Sequence, residues 1–170
     1  MLSYLDLGLL RYFLGIEVKQ IENGIFISHA KNVANILERF EMKKNKLAST
    51  PTITGLKKGY FGSNVNLTLY KSMIGSLVYF IATRRDIMYV VSLVLRFTET
   101  PKETHWQASK RILRYANGTK QYGILYTATS GFRLVGYTDS YWEGSVDDRR
   151  STSRYVFHLG YGAISWASMK

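Results

Sequence analysis

Near residue 121 the hydrophobic period of this 170-residue chain changes from that of helices to that of strands. Before this point apolar residues recur at helical spacing, most clearly in "PKETHWQASKRILRYANGT". After it, "GILYT", "FRLVGYTDSYW", "TSRYVFHLG" and "AISWASM" alternate or carry aromatic and β-branched residues, with turn residues between them. The pattern predicts an α+β fold in which helices precede an antiparallel meander that starts at Gly123.

The N-terminal part predicts a β-hairpin followed by a helix. In "LLRYFLGIEVKQIENGIFISHA", Asn23-Gly24 is a strong signal for a type I′ turn. In "SHAKNVANILERFEM", apolar residues recur at helical spacing and Ser28 stands at the expected N-cap position. We therefore expect the first helix to begin directly after Ser28.

Two further helices are predicted over residues 69–83 and 86–97, and both have little polar face. The stretch "IMYVVSLVL" is rich in β-branched residues, but its length favours a helix over a strand. We interpret Arg84 and Arg85 as solvated arginines, and Asp86 as the N-terminal cap of the second of these helices.

The helix in "PKETHWQASKRILRYANGT" is the clearest in the chain, with Pro101 suited to its first turn and Gly118 to its end. Its apolar side holds Trp106, Ser109, Ile112, Leu113 and Ala116. The opposite side carries Lys110, Arg111 and Arg114. The residues alone favour a solvated face for this basic stripe over a face that contacts phosphates.

The formal net charge is +11, and residues 61–130 supply most of the excess, with nine basic against three acidic residues. This balance indicates an anionic partner, with nucleic acid ahead of a membrane surface, although solubility alone also explains it. The chain has no cysteine, no secretory-signal pattern at its start and no apolar run long enough for a membrane span. We expect an intracellular protein, cytoplasmic or nuclear, without a membrane partner.

Asp139 is the most unusual polar residue, because it lies within an otherwise apolar strand. A carboxylate suits Mg²⁺, but two-metal hydrolysis of phosphodiesters requires a cluster of carboxylates. Glu143, Asp147 and Asp148 are near in sequence and are better explained as a charged, solvated turn. Spacing alone therefore favours a non-catalytic Asp139.

Other sequence signals for catalysis or metal binding are missing. His29, His105 and His158 are scattered, without the spacing of metal ligands. The chain contains no GxSxG elbow, no P-loop and no GxGxxG motif.

Five separated blocks, in order, resemble the Pol polyprotein of copia-type retrotransposons over nearly the whole chain. They are "DLGLLRYFLGIEV", "GIFISHAKNVANIL", "YKSMIGSLVYFIATRRDIMYVVSLVLRF", "HWQASKRILRYANGTKQYGILY" and "GYTDSYWEGSVDDRRSTSRYVFHLGYGAISWASMK". The resemblance implies a primer-grip-like hairpin over residues 1–29, with Phe13, Leu14 and Gly15 in the grip. It further implies a helical thumb and connection over residues 30–120, and the first three strands of a truncated ribonuclease H-like domain over residues 121–170.

Asp139 matches the first metal-binding aspartate of that ribonuclease H domain. The parent enzyme is an RNA-directed DNA polymerase with ribonuclease H activity, uses Mg²⁺, and acts on a primer–template or an RNA–DNA hybrid. The matching polymerase aspartates and the other ribonuclease H carboxylates fall outside this sequence. We therefore expect a fragment that binds nucleic acid, needs no cofactor and is inactive alone. Two alternatives remain: an active piece whose missing carboxylates come from another chain, and a domesticated interaction module.

Three positions depart from the family's pattern. The chain has "TDSYW" where the family usually has "TDSDW", "TRRDI" for "TRPDI", and "STSRY" for "STSGY". The residues concerned are Tyr141, Arg85 and Arg154, and they indicate drift away from the enzymatic sequence.

Overall fold

The computed structural model describes residues 8–52, 62–128, 133–141 and 152–169. In chain order, its elements are β1 (Tyr12–Phe13), β2 (Ile16–Ile21), β3 (Gly24–Ser28), α1 (Ala30–Arg39), α2 (Leu67–Phe80), a 3-10 helix (Arg85–Ile87), α3 (Met88–Leu95), α4 (Glu103–Gly118), β4 (Gly123–Thr127), β5 (Leu134–Tyr141), β6 (Thr152–Leu159) and β7 (Gly162–Met169). These described residues form a mixed α and β fold with four α-helices and two antiparallel sheets, as the change of period predicts.

The core lies between the four helices. Its fully buried side chains include Leu37 of α1, Tyr70 and Leu77 of α2, Val91 of α3 and Leu113 of α4. The expected apolar side of α4 is confirmed, because all five of its residues are buried. Gly118 is the last residue of α4, also as expected.

The first helix begins later than the sequence predicts. Ser28 is the last residue of β3, and His29, not Ser28, occupies the N-cap position of α1. The side chain of His29 makes no capping bond. Instead the Glu17 carboxylate on β2 accepts a 2.5 Å hydrogen bond from the Lys31 N–H. The strand supplies this acceptor, and its negative charge suits the positive end of the helix.

The hairpin at Asn23-Gly24 is confirmed, but its predicted turn type is wrong. Ile21 pairs with Gly24, so the two turn residues are Glu22 and Asn23. Neither has the positive φ that a type I′ turn requires. Glycine is needed at position 24 for a different reason, the close approach of β4. A Cβ at this position would lie 2.2 Å from the Tyr126 carbonyl oxygen on that strand.

The strand Gly123–Thr127 belongs to the N-terminal sheet. The first sheet has the order β1-β2-β3-β4, and β4 pairs antiparallel with β3. The second sheet contains β5, β6 and β7, so the meander begins at Leu134 and the expected start at Gly123 is wrong. A strand pattern gives the local conformation but not the pairing partner.

The second sheet packs against the helices through the face that carries Trp166. The Trp166 Nε1–H donates to the carbonyl of Ile81, which follows α2, over 3.1 Å. The Tyr126 hydroxyl donates to the Ala163 carbonyl over 2.7 Å and so joins β4 to β7. Together these bonds hold the second sheet against both the helical layer and the first sheet. No helix within the described ranges is long and apolar enough to cross a membrane.

Candidate functional site

The basic stripe lies on the side of α4 that faces away from the core. Lys110, Arg111 and Arg114 are all half-buried. The Lys110 ammonium lies 5.1 Å from the centre of the Trp106 ring, a cation–π distance. In the described part of the chain, none of the three cations has a carboxylate within 4.0 Å. Among the described residues, the stripe therefore has no paired counter-charge.

Arg111 is anchored in a defined orientation. Its Nε donates to the Thr50 carbonyl over 3.0 Å, and its Nη2 donates to the Thr50 hydroxyl over 2.9 Å. This anchor holds the segment before Thr50 against α4, and Leu47 lies beside Gly118 at the end of the helix. A planar guanidinium held in place loses little freedom when it binds a further acceptor.

The anchored segment adds cations that the sequence analysis did not assign. Lys43, Lys44 and Lys46 are all exposed, and Lys43 is paired with Glu38 at 2.8 Å. The sequence shows these lysines as the stretch "KKNK". The contact between Thr50 and Arg111, which ties their segment to α4, is visible only in the structure. These lysines therefore belong to the segment that the contact between Thr50 and Arg111 holds at α4.

The residues of the primer-grip-like segment form a tight turn. Leu14 and Gly15 both have positive φ, at 46° and 79°, as a two-residue type I′ turn between β1 and β2 requires. Phe13 and Leu14 are 56% and 72% exposed. Gly15 lies against the Tyr79 side chain of α2, where a Cβ would come within 3.0 Å of the hydroxyl. The turn therefore presents two apolar side chains to solvent.

Arg84 is buried, so its interpretation as a solvated arginine is wrong. Its Nε and Nη2 form a bidentate ion pair with Asp86, at 2.8 and 2.7 Å. It also donates to the carbonyl and hydroxyl of Thr119, directly after α4, at 3.1 and 2.7 Å. Asp86 therefore neutralises a buried cation and does not cap α3, whose N-cap residue is Ile87. The arginine that is exposed is Arg85.

His29 is buried beside this ion pair. Its Nδ1 lies 2.5 Å from the Thr83 hydroxyl, and its ring packs edge-on against Tyr79. Burial lowers the pKa of His29 to about 4; Glu17 opposes this shift, and the positive charge of Arg84 adds to it. His29 is therefore a neutral core histidine at physiological pH. His105 is also buried and stacks on Phe97, with ring centres 3.7 Å apart.

Asp139 lies exposed on β5, directly opposite Arg154 of β6. It lines a groove of about 270 Å³ with Arg85, Arg154 and Trp166. No group of three or more metal-ligating side chains occurs among the described residues. Glu143, Asp147 and Asp148 lie outside the described residues. The described lining, with one carboxylate and two arginines, does not fit a site for Mg²⁺.

The chain is similar in sequence to curated Pol polyproteins of plant transposons. It is 39% identical over 163 residues, or 95% of its length, to the retrovirus-related Pol polyprotein from transposon RE1 of Arabidopsis thaliana. It is 36% identical over 96% of its length to the corresponding polyprotein from transposon TNT 1-94 of Nicotiana tabacum. It spans only 11% and 13% of these two polyproteins.

A shorter relative is matched over most of both chains. An uncharacterized mitochondrial protein of Arabidopsis thaliana is 34% identical over 99% of this chain and 70% of its own length. No family model and no solved structure matches the chain. The similarity to the transposon polyproteins, over at least 95% of this chain, places it in the family of Pol polyproteins from copia-type retrotransposons.

Proposed function

We propose that the chain is a nucleic-acid-binding fragment of a reverse transcriptase and ribonuclease H polyprotein. The observation that carries the proposal is the basic surface of α4, where Lys110, Arg111 and Arg114 have no counter-charge in the described part of the chain. Thr50, which follows the lysines at positions 43, 44 and 46, is hydrogen-bonded to Arg111 of this surface. Unpaired cations on one surface suit the phosphates of an RNA–DNA hybrid or a primer–template.

The basic surface is expected to bind without sequence preference. Contacts from lysine and arginine to phosphates set the position of a duplex but carry no base information. Each neutralised phosphate releases condensed counterions, so the affinity falls as salt rises. Arg111 already has Thr50 as a partner through Nε and Nη2, and it contributes mainly through its charge.

Replacing Lys110, Arg111 and Arg114 together with alanine should flatten the slope of log K against log salt by about 3 at most, because three phosphate contacts are lost. Fluorescence anisotropy with an RNA–DNA hybrid measures this slope. A triple variant of Lys19, Arg96 and Arg133, which are exposed outside the stripe, is the matched control for net charge. An unchanged slope in the α4 variant, or an equal change in both variants, refutes the proposed interface.

The proposed layout follows the family resemblance. Residues 1–29 form the primer-grip-like hairpin, with Phe13, Leu14 and Gly15 at its turn. Residues 30–120 form the helical thumb and connection, and residues 121–170 the start of the ribonuclease H-like domain. Within this layout β4 pairs with β3, so the strand Gly123–Thr127 lies in the N-terminal sheet and the separate three-stranded sheet begins at Leu134.

We further propose that the purified chain cleaves no RNA–DNA hybrid and extends no primer. In the parent family Mg²⁺ supplies the charge that activates water and stabilises the leaving oxygen. In this chain Asp139 faces Arg154, and Arg85 lines the same groove, so the local charge opposes a divalent cation. A single exposed carboxylate also holds Mg²⁺ poorly, since this ion dehydrates reluctantly.

Incubation of the purified chain with a labelled RNA–DNA hybrid and Mg²⁺ or Mn²⁺ should therefore give no cleavage above background. Asp139→Asn is the control for a contaminating nuclease, because it removes the candidate ligand and leaves a contaminant unaffected. Cleavage that disappears in Asp139→Asn would contradict the proposal and favour a site completed by another chain.

A further inference from the structure

Arg85 and Arg154 are distant in sequence, but both line the groove that contains Asp139. Arg85 opens the 3-10 helix before α3, and Arg154 lies in the middle of β6. The fold therefore brings two arginines into the lining of a groove that also contains one carboxylate.

Among the described residues, neither arginine forms an ion pair. The Arg154 guanidinium lies 4.4 Å from the centre of the Tyr89 ring. Arg85 Nη1 lies 3.2 Å from His158 Nε2, within hydrogen-bonding distance. Within the described ranges no carboxylate lies within 4.0 Å of either guanidinium, although Asp139 is in register with Arg154. The described lining of the groove therefore holds two positive charges and one negative charge.

Two buried polar atoms at this place in the sheet have no hydrogen-bond partner among the described residues. Arg154 Nε is buried and has no hydrogen-bond partner in the described chain, and the same holds for the hydroxyl of Ser168. Ser168 is the cross-strand neighbour of Arg154 on β7. Partial burial reduces the solvent screening of the Arg154 charge, so a nearby anion interacts with it more strongly than at an exposed site.

Aromatic rings complete the lining. Trp166 is half-buried in the groove, and Tyr137, on the same strand as Asp139, is 61% exposed. Arginines beside accessible rings are the combination that binds phosphate-bearing nucleotides, because the cations bind phosphate and the rings stack on bases.

We propose that this groove binds a phosphate group between Arg85 and Arg154, either on a small molecule or on a nucleic acid strand. Planar guanidinium groups match the oxygens of a phosphate, and they repel a divalent cation from Asp139. The site is separate from the basic surface of α4 and does not depend on nucleic-acid binding there.

The first test compares thermal melting of the full chain in phosphate and in chloride at matched ionic strength. Phosphate should raise the Tm of the wild type in a concentration-dependent way. Arg85→Gln with Arg154→Gln should lower the apparent affinity by about tenfold or more, because charged hydrogen bonds are lost. Arg96→Gln with Arg133→Gln is the matched control, since both arginines are exposed and outside the groove lining.

Asp139→Asn gives a second test, because the variant should change the affinity for phosphate and for Mg²⁺ in opposite directions. An anion site should bind its ligand more tightly without the carboxylate, whereas a metal site should bind its ion less tightly. Removing the negative charge should tighten phosphate binding by about threefold to tenfold. The proposal is overturned if the phosphate effect persists in the groove variant, or is lost equally in the control. It is also overturned if Mg²⁺ stabilises the wild type and Asp139→Asn abolishes that effect.

Two further probes identify the source of the phosphate. The first probe is oligothymidylate, a single nucleic acid strand. If Arg85→Gln with Arg154→Gln weakens its binding more than the control variant does, the phosphate belongs to a nucleic acid strand. A response confined to inorganic phosphate and thymidine monophosphate indicates a small molecule, and both results support the site. The alanine variant of the α4 stripe should keep its full phosphate response, so failure of the α4 interface and failure of the groove are distinguishable.

Discussion

Asp86→Asn is expected to lower the free energy of unfolding by about 3 kcal/mol, because it leaves the buried Arg84 guanidinium without its counter-charge. The Arg84 side chain is 4% exposed, and its bidentate bond to Asp86 is its one ion pair in the described part of the chain. Urea unfolding followed by circular dichroism at pH 7 measures the change.

Glu38→Gln is the matched control for Asp86→Asn. It removes the carboxylate of another 2.8 Å ion pair, with Lys43, but both side chains there are more than half exposed. Solvent screening makes such a pair worth little, so we expect a change within about 0.5 kcal/mol. Equal effects of the two variants would show that burial of Arg84 does not govern the stability.

The contribution of Asp86 to the free energy of unfolding depends on pH in a defined range. Burial raises the pKa of Asp86, but the hydrogen bonds and charge of Arg84 outweigh it, so the net pKa lies below its usual value. The stabilisation is therefore complete above the unfolded-state pKa of about 3.9, and it is lost as the pH falls through the lower folded-state pKa.

His29 is expected to make the protein less stable as the pH falls from about 6.5 towards 4. In the folded state burial lowers the pKa of His29 to about 4, while the unfolded chain binds the proton near pH 6.5. The unfolded state thus holds more protons across this window, and the free energy of unfolding should fall by about 3 kcal/mol. Above about pH 6.5 the contribution is fully present.

Urea unfolding of the wild type and His29→Gln at several pH values tests this expectation. Glutamine removes the titrating group, so its stability should change far less between pH 6.5 and 4.5, whatever its absolute value. His158→Gln is the control, because His158 is only half-buried and its removal should leave the pH dependence in place. A parallel pH dependence in wild type and His29→Gln would show that another group is responsible.

The hydrogen bonds of Arg84 and of His29 also affect the position of the proposed nucleic-acid interface on α4. Arg84 donates two hydrogen bonds to Thr119, at the end of the helix that carries the basic stripe. His29 is linked to Thr83, the residue before Arg84. We infer that these contacts fix α4 relative to the first sheet, and that Asp86→Asn will weaken nucleic-acid binding only at temperatures where it unfolds the protein.

The amino-acid sequence by itself determined the local structure wherever the hydrophobic period is strong. The apolar side of α4, its end at Gly118 and the strands of the second sheet all follow from residues that are near each other in the chain. The Pol family was also recognisable from sequence blocks alone, and the similarity to known polyproteins confirms it. These features need no knowledge of which elements become neighbours.

Only the tertiary structure decided which distant residues meet. It paired β4 with β3, buried Arg84 between Asp86 and Thr119, and placed Arg85 and Arg154 beside Asp139. Periodicity reports which side of an element is apolar, whereas strand partners and buried charges depend on long-range packing. Arg84 and Arg85 show this most directly: they are adjacent in sequence, but one is buried in an ion pair and the other lines an open groove.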